Sequence, residues 1–245
     1  MTSHYGDFAA PEGLRVRGTV LVVAGRGETP ASYGRFGARL AADAYRVRVL
    51  PFAPSHLAEN LADAVAGIPD LVRPLALAGA DAAAAAVGAL VAKPCPGAAW
   101  WPDAVVLAGL PGYDAHHTGG WDDELDVRTH CPVHRGVLTG DVFLQRGAFA
   151  ETVPAALLDA AYGSTAEQPH LLLVGDEDPL VSRADLARLV KSLPAVRLSV
   201  VRGAHHDVLN DLQHRSVAAE VVAFLEALRG GTPITPVVHV ESSSW

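Results

Sequence analysis

The sequence predicts a single α/β domain built on a mostly parallel sheet with helices on both faces. Three observations lead to this prediction. The 245 residues, half of them hydrophobic, can bury one sizeable core. Short apolar runs alternate with segments of helical periodicity, which is typical of parallel sheets. One stretch, residues 111–168, interrupts this alternation and is far longer than an ordinary connection.

The first two strand–helix units are predicted from two different sequence patterns, one continuously apolar strand and one alternating strand. Residues 18–24 (GTVLVVA) are a β-branched apolar run that GRGETP ends, and residues 33–42 then carry apolar side chains at helical spacing. Residues 45–50 (YRVRVL) alternate as a half-buried strand does, and an amphipathic helix is predicted over residues 57–66.

The third unit contains an alanine-rich helix. Residues 74–78 (PLALA) read as a short buried strand, Gly79 is expected to turn the chain, and residues 82–92 form the helix. Residues 104–108 (AVVLA) supply the next strand, which ends at LPG. The four remaining elements are a strand at 170–174, a helix at 183–192, a strand at 196–201 and a helix at 217–228.

The whole chain, residues 1–245, is interpreted as one domain. The long stretch 111–168 is interpreted as a small lid inserted into it. It contains Trp121, the segment RTHCPVHRG and a predicted helix around residues 154–161. The tail from Gly230 is rich in Gly, Pro and Ser at its ends. Two alternatives stay open for it: it is disordered, or ITPVVHV pairs with a sheet edge or with a second subunit in a homodimer.

The composition excludes several classes of partner. A net charge of -8 and a charged fraction of 19% lack the basic footprint of nucleic-acid binding, so a small molecule is the expected partner. No run approaches the roughly 18 apolar residues of a membrane span, and the N-terminus shows no secretory leader. Cys95 and Cys131 are too few for a disulfide scaffold. The default expectation is a cytoplasmic protein.

Asp81 lies in the turn between the third strand and the alanine-rich helix. The turn reads Gly79-Ala80-Asp81-Ala82-Ala83, with tiny residues two before and two after the aspartate. A nucleophile elbow needs such residues because neighbouring backbone comes close to it. Serine is the usual central residue, and here it is aspartate. The alternative is that Asp81 only caps the helix.

Two further loops carry an acid and a histidine directly after strands. Asp178 lies in GDEDPLV, and His205 and His206 lie in GAHHD. An acidic loop can simply solvate a turn, and a loop histidine can be structural. However, parallel sheets bind ligands beyond the carboxyl ends of their strands, where the three loops are expected to meet. The chain order of nucleophile, acid and histidine is that of a hydrolytic triad.

These motifs resemble the α/β-hydrolase superfamily over nearly the whole chain, from VLVVAGRGE to VVAFLEAL. The chain is similar to a group of actinobacterial α/β hydrolases of poorly defined substrate, which share GRGE, an elbow with Asp, RTHCPVHRG and GAHHDVLNDLQHR. The resemblance implies Asp81 as nucleophile, Asp178 as orienting acid and His206 as base. His206 is preferred to His205 because the family spacing Gly-x-x-His ends on it.

The resemblance also implies an oxyanion site formed by backbone N–H groups of Arg26 or Gly27 and of Ala82. A carboxylate needs no proton removed, so the histidine would activate the water that breaks an ester intermediate. Haloalkane dehalogenases and epoxide hydrolases resemble the chain in using an Asp elbow. The chain departs from them, because Ala82 replaces their aromatic residue or Arg, and only Tyr113 and Tyr162 lie in or near the insertion.

We therefore expect a hydrolase of a small, largely apolar electrophile that works through an alkyl-enzyme ester of the epoxide or carbon–halogen type. Acyl chemistry is the alternative within enzymes, as an esterase, lactonase or thioesterase, and a lyase or cyclase of the same fold also fits. The alternative of another class is a catalytically silent member that binds a ligand. The presence of both His206 and Asp178 argues against silence, since a dead site needs no orienting acid.

The insertion contributes the candidate substrate-binding residues, which are Trp121, Arg128, His134 and Arg135. The two arginines have a second interpretation, in which they pair with acids of the WDDELD stretch. The histidines and single cysteine of the insertion have irregular spacing, a poor metal signature. GRGE lacks the Lys-Ser/Thr of a P-loop and the third Gly of a dinucleotide fingerprint. The sequence thus predicts neither a metal nor a cofactor.

Overall fold

The computed structural model describes residues 5–231, 234–238 and 241–242, and in this part of the chain seven strands form one sheet. The strands are β1 Gly6–Phe8, β2 Gly18–Val23, β3 Tyr45–Leu50, β4 Leu75–Ala80, β5 Ala104–Ala108, β6 His170–Gly175 and β7 Val196–Val201. The helices are α1 Gly34–Ala42, α2 Leu57–Ala66, α3 Ala82–Val91, α4 Trp121–Arg128, α5 Pro132–Gly140, α6 Ala155–Tyr162, α7 Arg183–Ser192 and α8 His214–Arg229. Short 3-10 turns cover Pro30–Tyr33, Pro54–His56 and Ala148–Ala150.

The order of the strands creates a crevice at the carboxyl edge of the sheet. The order is β1-β3-β2-β4-β5-β6-β7, with all neighbours parallel except β1, which pairs antiparallel with β3. The chain leaves β2 for β3 on one side and returns to β4 on the other. Val23 at the end of β2 pairs with Gly79 near the end of β4. The loops after β2 and β4 are therefore neighbours at the topological switch point, where parallel sheets bind ligands.

Helices cover both faces of the sheet, as the apolar strands require. Side chains of β2 alternate between the two faces: Val20 and Val22 join the cluster with α1 and α8, whereas Leu21 and Val23 join the cluster with α2, α3, α6 and α7. The fold class predicted from the sequence is confirmed.

Most predicted elements agree with the structure to within two residues. The last helix begins at His214, earlier than the expected residue 217, and Tyr33 belongs to a 3-10 turn instead of α1. Gly79 was expected to turn the chain, but it lies inside β4 and the turn comes at Asp81. Strand β1 was missed because three residues in a polar segment show no alternation.

The insertion, residues 111–168, contains α6 near the expected position and two further helices, α4 and α5. In the tail, residues 232–233, 239–240 and 243–245 lie outside the described residues, so the predicted pairing of ITPVVHV can be followed only in part. Residues 234–238 and 241–242 form neither a helix nor a strand. No described helix combines the length and apolar character needed to cross a membrane.

Candidate active site

Asp81 occupies a strained turn between β4 and α3. Its backbone has φ +51° and ψ −128°, a conformation that a residue with a side chain rarely adopts. Gly79 makes the turn sterically possible, because a Cβ there would lie 2.5 Å from the carbonyl oxygen of Ala83. The Asp81 side chain makes no capping hydrogen bond to α3. The helix-cap interpretation is therefore wrong, and the turn has the geometry of a nucleophile elbow.

His206 lies between two carboxylates, as the sequence predicted. Its Nε2 atom lies 3.0 Å from Asp81 Oδ1, and its Nδ1 atom lies 2.9 Å from Asp178 Oδ2. His205 points elsewhere, with Nδ1 3.1 Å from Asp211 Oδ2. Gly109, which sequence reasoning overlooked, lets the histidine loop approach β5: its φ is +58°, and a Cβ there would lie 2.7 Å from the His206 carbonyl oxygen.

Arg26 binds Asp81 through both its backbone and its side chain. The backbone N–H donates to Oδ2 at 2.9 Å, and its role as an oxyanion donor stays a prediction. The guanidinium also donates, with Nε 2.8 Å from Oδ2 and Nη2 2.8 Å from Oδ1. Sequence reasoning did not anticipate this second contact. Both oxygens of the carboxylate are therefore hydrogen-bonded to Arg26.

The other two predicted oxyanion residues have different surroundings. Gly27 has φ +75°, and its carbonyl accepts a hydrogen bond of 2.8 Å from the Gln145 N–H in the insertion. A Cβ on Gly27 would lie 2.4 Å from the Gln145 carbonyl oxygen, so glycine is needed for the insertion to approach. Gly27 therefore contacts the insertion. Among the described hydrogen bonds, it is the Arg26 N–H of this loop, and not that of Gly27, that donates to Asp81. Ala82 is the first residue of α3, and its role as a donor stays a prediction.

The two carboxylates determine the charge of His206. Burial alone would lower the pKa of His206, but the charge and hydrogen bond of Asp178, followed by those of Asp81, raise it to about 10. Burial alone would raise the pKa of Asp81, yet hydrogen bonds from His206 and Arg26 hold it well below its ordinary value. The raised pKa of His206 favours the protonated imidazole at neutral pH, and the lowered pKa of Asp81 favours its carboxylate.

A second buried charge cluster adjoins this site around Arg128, which is fully buried. Its Nη2 atom donates to Glu124 at 2.9 Å and to the carbonyl of Arg26 at 2.8 Å. Its Nη1 atom lies 3.6 Å from Asp207 Oδ1 and 3.8 Å from Glu28 Oε1. Burial, together with the Asp207 charge, raises the pKa of Glu28 to about 7, although Arg128 opposes this.

Within the described residues, Glu28, His134 and Asp207 form one group whose potential ligand atoms all lie within 4.8 Å of one another. The Arg128 guanidinium lies against two of the three, so a fixed cation already balances their charge. Because a second cation there would be repelled, we assign no metal to this group.

The four residues expected to bind substrate have other contacts. Trp121 packs in a small cluster with Leu125 and under Arg146, whose guanidinium carbon is 4.9 Å from the indole ring. Arg135 Nη1 donates to Asp126 at 2.6 Å. His134 Nε2 lies 3.1 Å from Asp207.

Pairing of Arg128 and Arg135 with acids of the WDDELD stretch is thus confirmed. Among the described residues, these two arginines, Trp121 and His134 do not line the cavity beside Asp81, so the expectation that they form its wall is wrong for this conformation. The physical reason is that acids of α4 pair with Arg128 and Arg135, and Asp207 of the histidine loop lies near Arg128 and His134.

The cavity beside Asp81 has a volume of about 10 Å³, enough for one water molecule and too small for an organic substrate. Two residues of the insertion contact the site. Phe149 meets the His206 ring edge-on with centroids 5.2 Å apart, and the Glu151 carbonyl accepts a hydrogen bond from Arg26 Nη1. The insertion therefore touches both Arg26 and His206.

The two tyrosines near the insertion do not line the cavity beside Asp81. They stack on each other with centroids 5.9 Å apart. Tyr113 donates to Asp159 at 2.8 Å, and Tyr162 donates to the Pro111 carbonyl at 3.0 Å. Both hydroxyl groups therefore already have acceptors within the protein.

No protein-family model and no curated protein matches the sequence. Solved structures match it in fold. A monoacylglycerol lipase from Paleococcus ferrophilus is 17% identical, with a TM-score of 0.71 over 92% of this chain and 98% of that chain. A soluble variant of monoglyceride lipase from Saccharomyces cerevisiae is 15% identical, with a TM-score of 0.68 over 91% and 90%. A type II thioesterase of the yersiniabactin NRPS/PKS biosynthetic pathway is 17% identical, with a TM-score of 0.61 over 91% and 98%.

Proposed function

We propose that this chain, which has the α/β-hydrolase fold, is a hydrolase in which Asp81 forms a covalent alkyl ester with a small, largely apolar electrophile. One observation carries the proposal: an aspartate in a strained elbow lies 3.0 Å from a histidine that a second carboxylate holds at 2.9 Å.

In the first step, Asp81 Oδ1 attacks a saturated carbon while Oδ2 stays on the Arg26 N–H. The new carbon–oxygen bond forms as the bond to the leaving group breaks, and the leaving group takes the bonding electrons. A halide departs without a proton. An epoxide oxygen becomes an alkoxide and takes the Nε2 proton of His206, which the flanking carboxylates keep protonated. Because His206 Nε2 lies 3.0 Å from Asp81 and neither Tyr113 nor Tyr162 lines the cavity, we assign the acid for epoxide opening to His206.

Esterification prepares the second step by changing the charge next to His206. The ester is neutral, so the interaction that Asp81 contributes to the raised pKa of His206 is lost. After epoxide opening the imidazole is already neutral, and after departure of a halide it first releases its Nε2 proton to solvent. The neutral imidazole then takes a proton from water, and the resulting hydroxide adds to the ester carbonyl carbon. The tetrahedral oxyanion forms at Oδ2, where the Arg26 N–H already donates. Collapse expels the product alkoxide, which is protonated to the alcohol, and Asp81 returns as a carboxylate.

Substrate entry requires the site to open. Arg26 Nη2 donates a hydrogen bond to Oδ1, and the cavity has room for only one water molecule. The guanidinium also lies 5.0 Å from the centroid of the Phe149 ring in the insertion. We propose that the insertion acts as a lid, and that its displacement frees Arg26 from Oδ1.

The hydrogen bonds from Arg26 to both oxygens of Asp81 favour a second candidate, a catalytically silent member of the fold. Two charged groups neutralise Asp81, and a carboxylate with both oxygens occupied is a poor nucleophile. In that case Arg26 and Asp81 form a buried structural ion pair. Acyl chemistry, which the names of the lipases and thioesterase suggest, is less favoured because acyl transfer to Asp81 would give a mixed anhydride.

Replacement of His206 by Gln tests the covalent mechanism. Alkylation by a halide needs no acid or base, so the variant should still react once and then stall. Intact-mass spectrometry after exposure to 1-bromobutane should show an alkyl adduct, located by digestion on the peptide with Asp81. Styrene oxide, whose opening uses the His206 proton, should give little adduct in this variant, and p-nitrophenyl acetate is the probe for acyl turnover. His205→Gln is the matched control, because His205 bonds Asp211 and not Asp81, and it should accumulate no adduct.

The outcomes separate the three functions. A stalled alkyl adduct in His206→Gln supports the proposed mechanism. Turnover of the ester probe without any alkyl adduct would favour acyl chemistry. Absence of both adduct and turnover in the wild-type protein would favour the silent member.

A further inference from the structure

Two buried oxygen atoms without a hydrogen-bond partner lie on the small cavity beside Asp81. They are Glu28 Oε1 and Asn210 Oδ1, and both residues line the cavity. Glu28 is 9% exposed and Asn210 is 1% exposed, so bulk water does not satisfy either acceptor. A buried acceptor without a donor is costly, and native proteins commonly satisfy such groups with an ordered water.

The described hydrogen bonds leave both oxygens unpaired. Tyr33 Oη and the Gly25 N–H donate to the other carboxylate oxygen of Glu28, Oε2. Arg128 Nη1 lies 3.8 Å from Glu28 Oε1, within ion-pair range but beyond hydrogen-bond distance, and it too has no hydrogen-bond partner. The backbone N–H of Asn210 donates to the Asp207 carbonyl at 2.8 Å, and the side-chain Oδ1 has no partner among the described residues.

We propose that this cavity binds one water molecule through Glu28 Oε1 and Asn210 Oδ1, and that this is the water that hydrolyses the Asp81 ester. The volume of about 10 Å³ matches a single water, and Asp81 and His206 line the same space. This inference rests on the proposed function. It assigns Glu28 and Asn210 as positioning residues.

Two acceptors suit the chemistry of this step. In the resting state the water donates one hydrogen to each. When Asp81 is esterified and His206 is neutral, one hydrogen turns to Nε2 while the other remains on an acceptor, so the oxygen stays in place. The O–H bond then breaks, its proton goes to Nε2, and the electron pair forms the bond to the ester carbonyl carbon.

A high-resolution crystal structure of the resting protein tests the water site without any substrate. Density for a water within hydrogen-bond distance of both oxygens is expected in the wild type and in Asn210→Asp, which keeps an acceptor. It should be lost in Asn210→Leu, which has a similar volume and no acceptor. A wild-type structure without this water would overturn the proposal.

The catalytic part is tested by rapid mixing with styrene oxide and intact-mass analysis. Asn210→Leu should form the ester but hydrolyse it about 100-fold more slowly, since misplacing a reacting group by about 1 Å costs this much. Asn210→Asp should restore hydrolysis, which a merely structural defect would not predict. Gln213→Leu is the matched control, because Gln213 Oε1 is also buried and unpartnered but lies outside the cavity.

The failure of this inference and that of the proposed function are distinguishable. Adduct in His206→Gln with wild-type hydrolysis in Asn210→Leu would leave the covalent mechanism standing and overturn the assigned water. No adduct in either variant would overturn the covalent mechanism and with it the hydrolytic role. The crystallographic result then decides whether the site binds a water at all.

Discussion

Replacing His206 by Gln should change how the stability of the protein depends on pH. In the folded protein the imidazole is buried between Asp178 and Asp81, and its pKa is raised from the ordinary 6.5 to about 10. Folding therefore favours the protonated form. This contribution is fully present below about pH 6.5 and is lost as the pH rises through about 10.

The size of the effect follows from the same two pKa values. Each pH unit between them corresponds to about 1.4 kcal/mol, so the imidazolium contributes on the order of 5 kcal/mol at neutral pH and below, as an upper bound. The difference in unfolding free energy between the wild type and His206→Gln should shrink by up to about 1.4 kcal/mol for each pH unit above 7. Groups whose pKa values His206 does not affect cancel in this difference, and Asp81, whose pKa His206 lowers, titrates at lower pH than the range compared.

Urea unfolding of both proteins at about pH 6, 8 and 9.5 measures the effect, using the linear dependence of the free energy on urea. An NMR titration of the His206 ring gives an independent value. Asp178→Asn should lower the His206 pKa more than Asp81→Asn does, because Asp178 contributes the larger interaction. Parallel stability curves for the wild type and His206→Gln, or a ring that titrates near 6.5, would refute the reasoning.

Two further predictions concern residues around the site. Arg128→Met should lower the free energy of unfolding in urea by about 3–5 kcal/mol, because it removes the cation from a buried acidic cluster. Arg135→Ala removes a partly exposed ion pair and should lower it by about 1 kcal/mol or less. Equal losses would contradict this assignment. Gly109→Ala should cost about 1–3 kcal/mol and lower turnover, because its Cβ would lie 2.7 Å from the His206 carbonyl. Unchanged unfolding and activity would show that the histidine loop shifts freely.

The fold was predictable because its signals are local. The apolar runs that became β2 to β7 and the helical periodicity of α1, α2, α3, α7 and α8 each depend on neighbours a few residues apart. The elbow was also predictable, since the steric demand at Asp81 is met by tiny residues two positions away. Strand β1 gave no such signal, because only pairing with β3 makes its three residues a strand.

The meeting of Asp81, Asp178 and His206 followed from the sequence by one further step. Each residue comes directly after a parallel strand, and the carboxyl ends of parallel strands share one edge of the sheet. The contacts of the insertion had no comparable rule. The charges of its residues were compatible with binding either substrate or neighbouring acids. In the packed structure these residues contact the acids.

The sequence alone therefore determined the α/β architecture and the three side chains that meet at the edge of the sheet. Only the tertiary structure decided that Arg26 holds both oxygens of Asp81, a contact across 55 residues. It also decided that two carboxylates flank His206 and raise its pKa, and that the cavity has the size of one water. These properties depend on distances between groups from separate loops and on their burial, and neither is encoded in the spacing of residues along the chain.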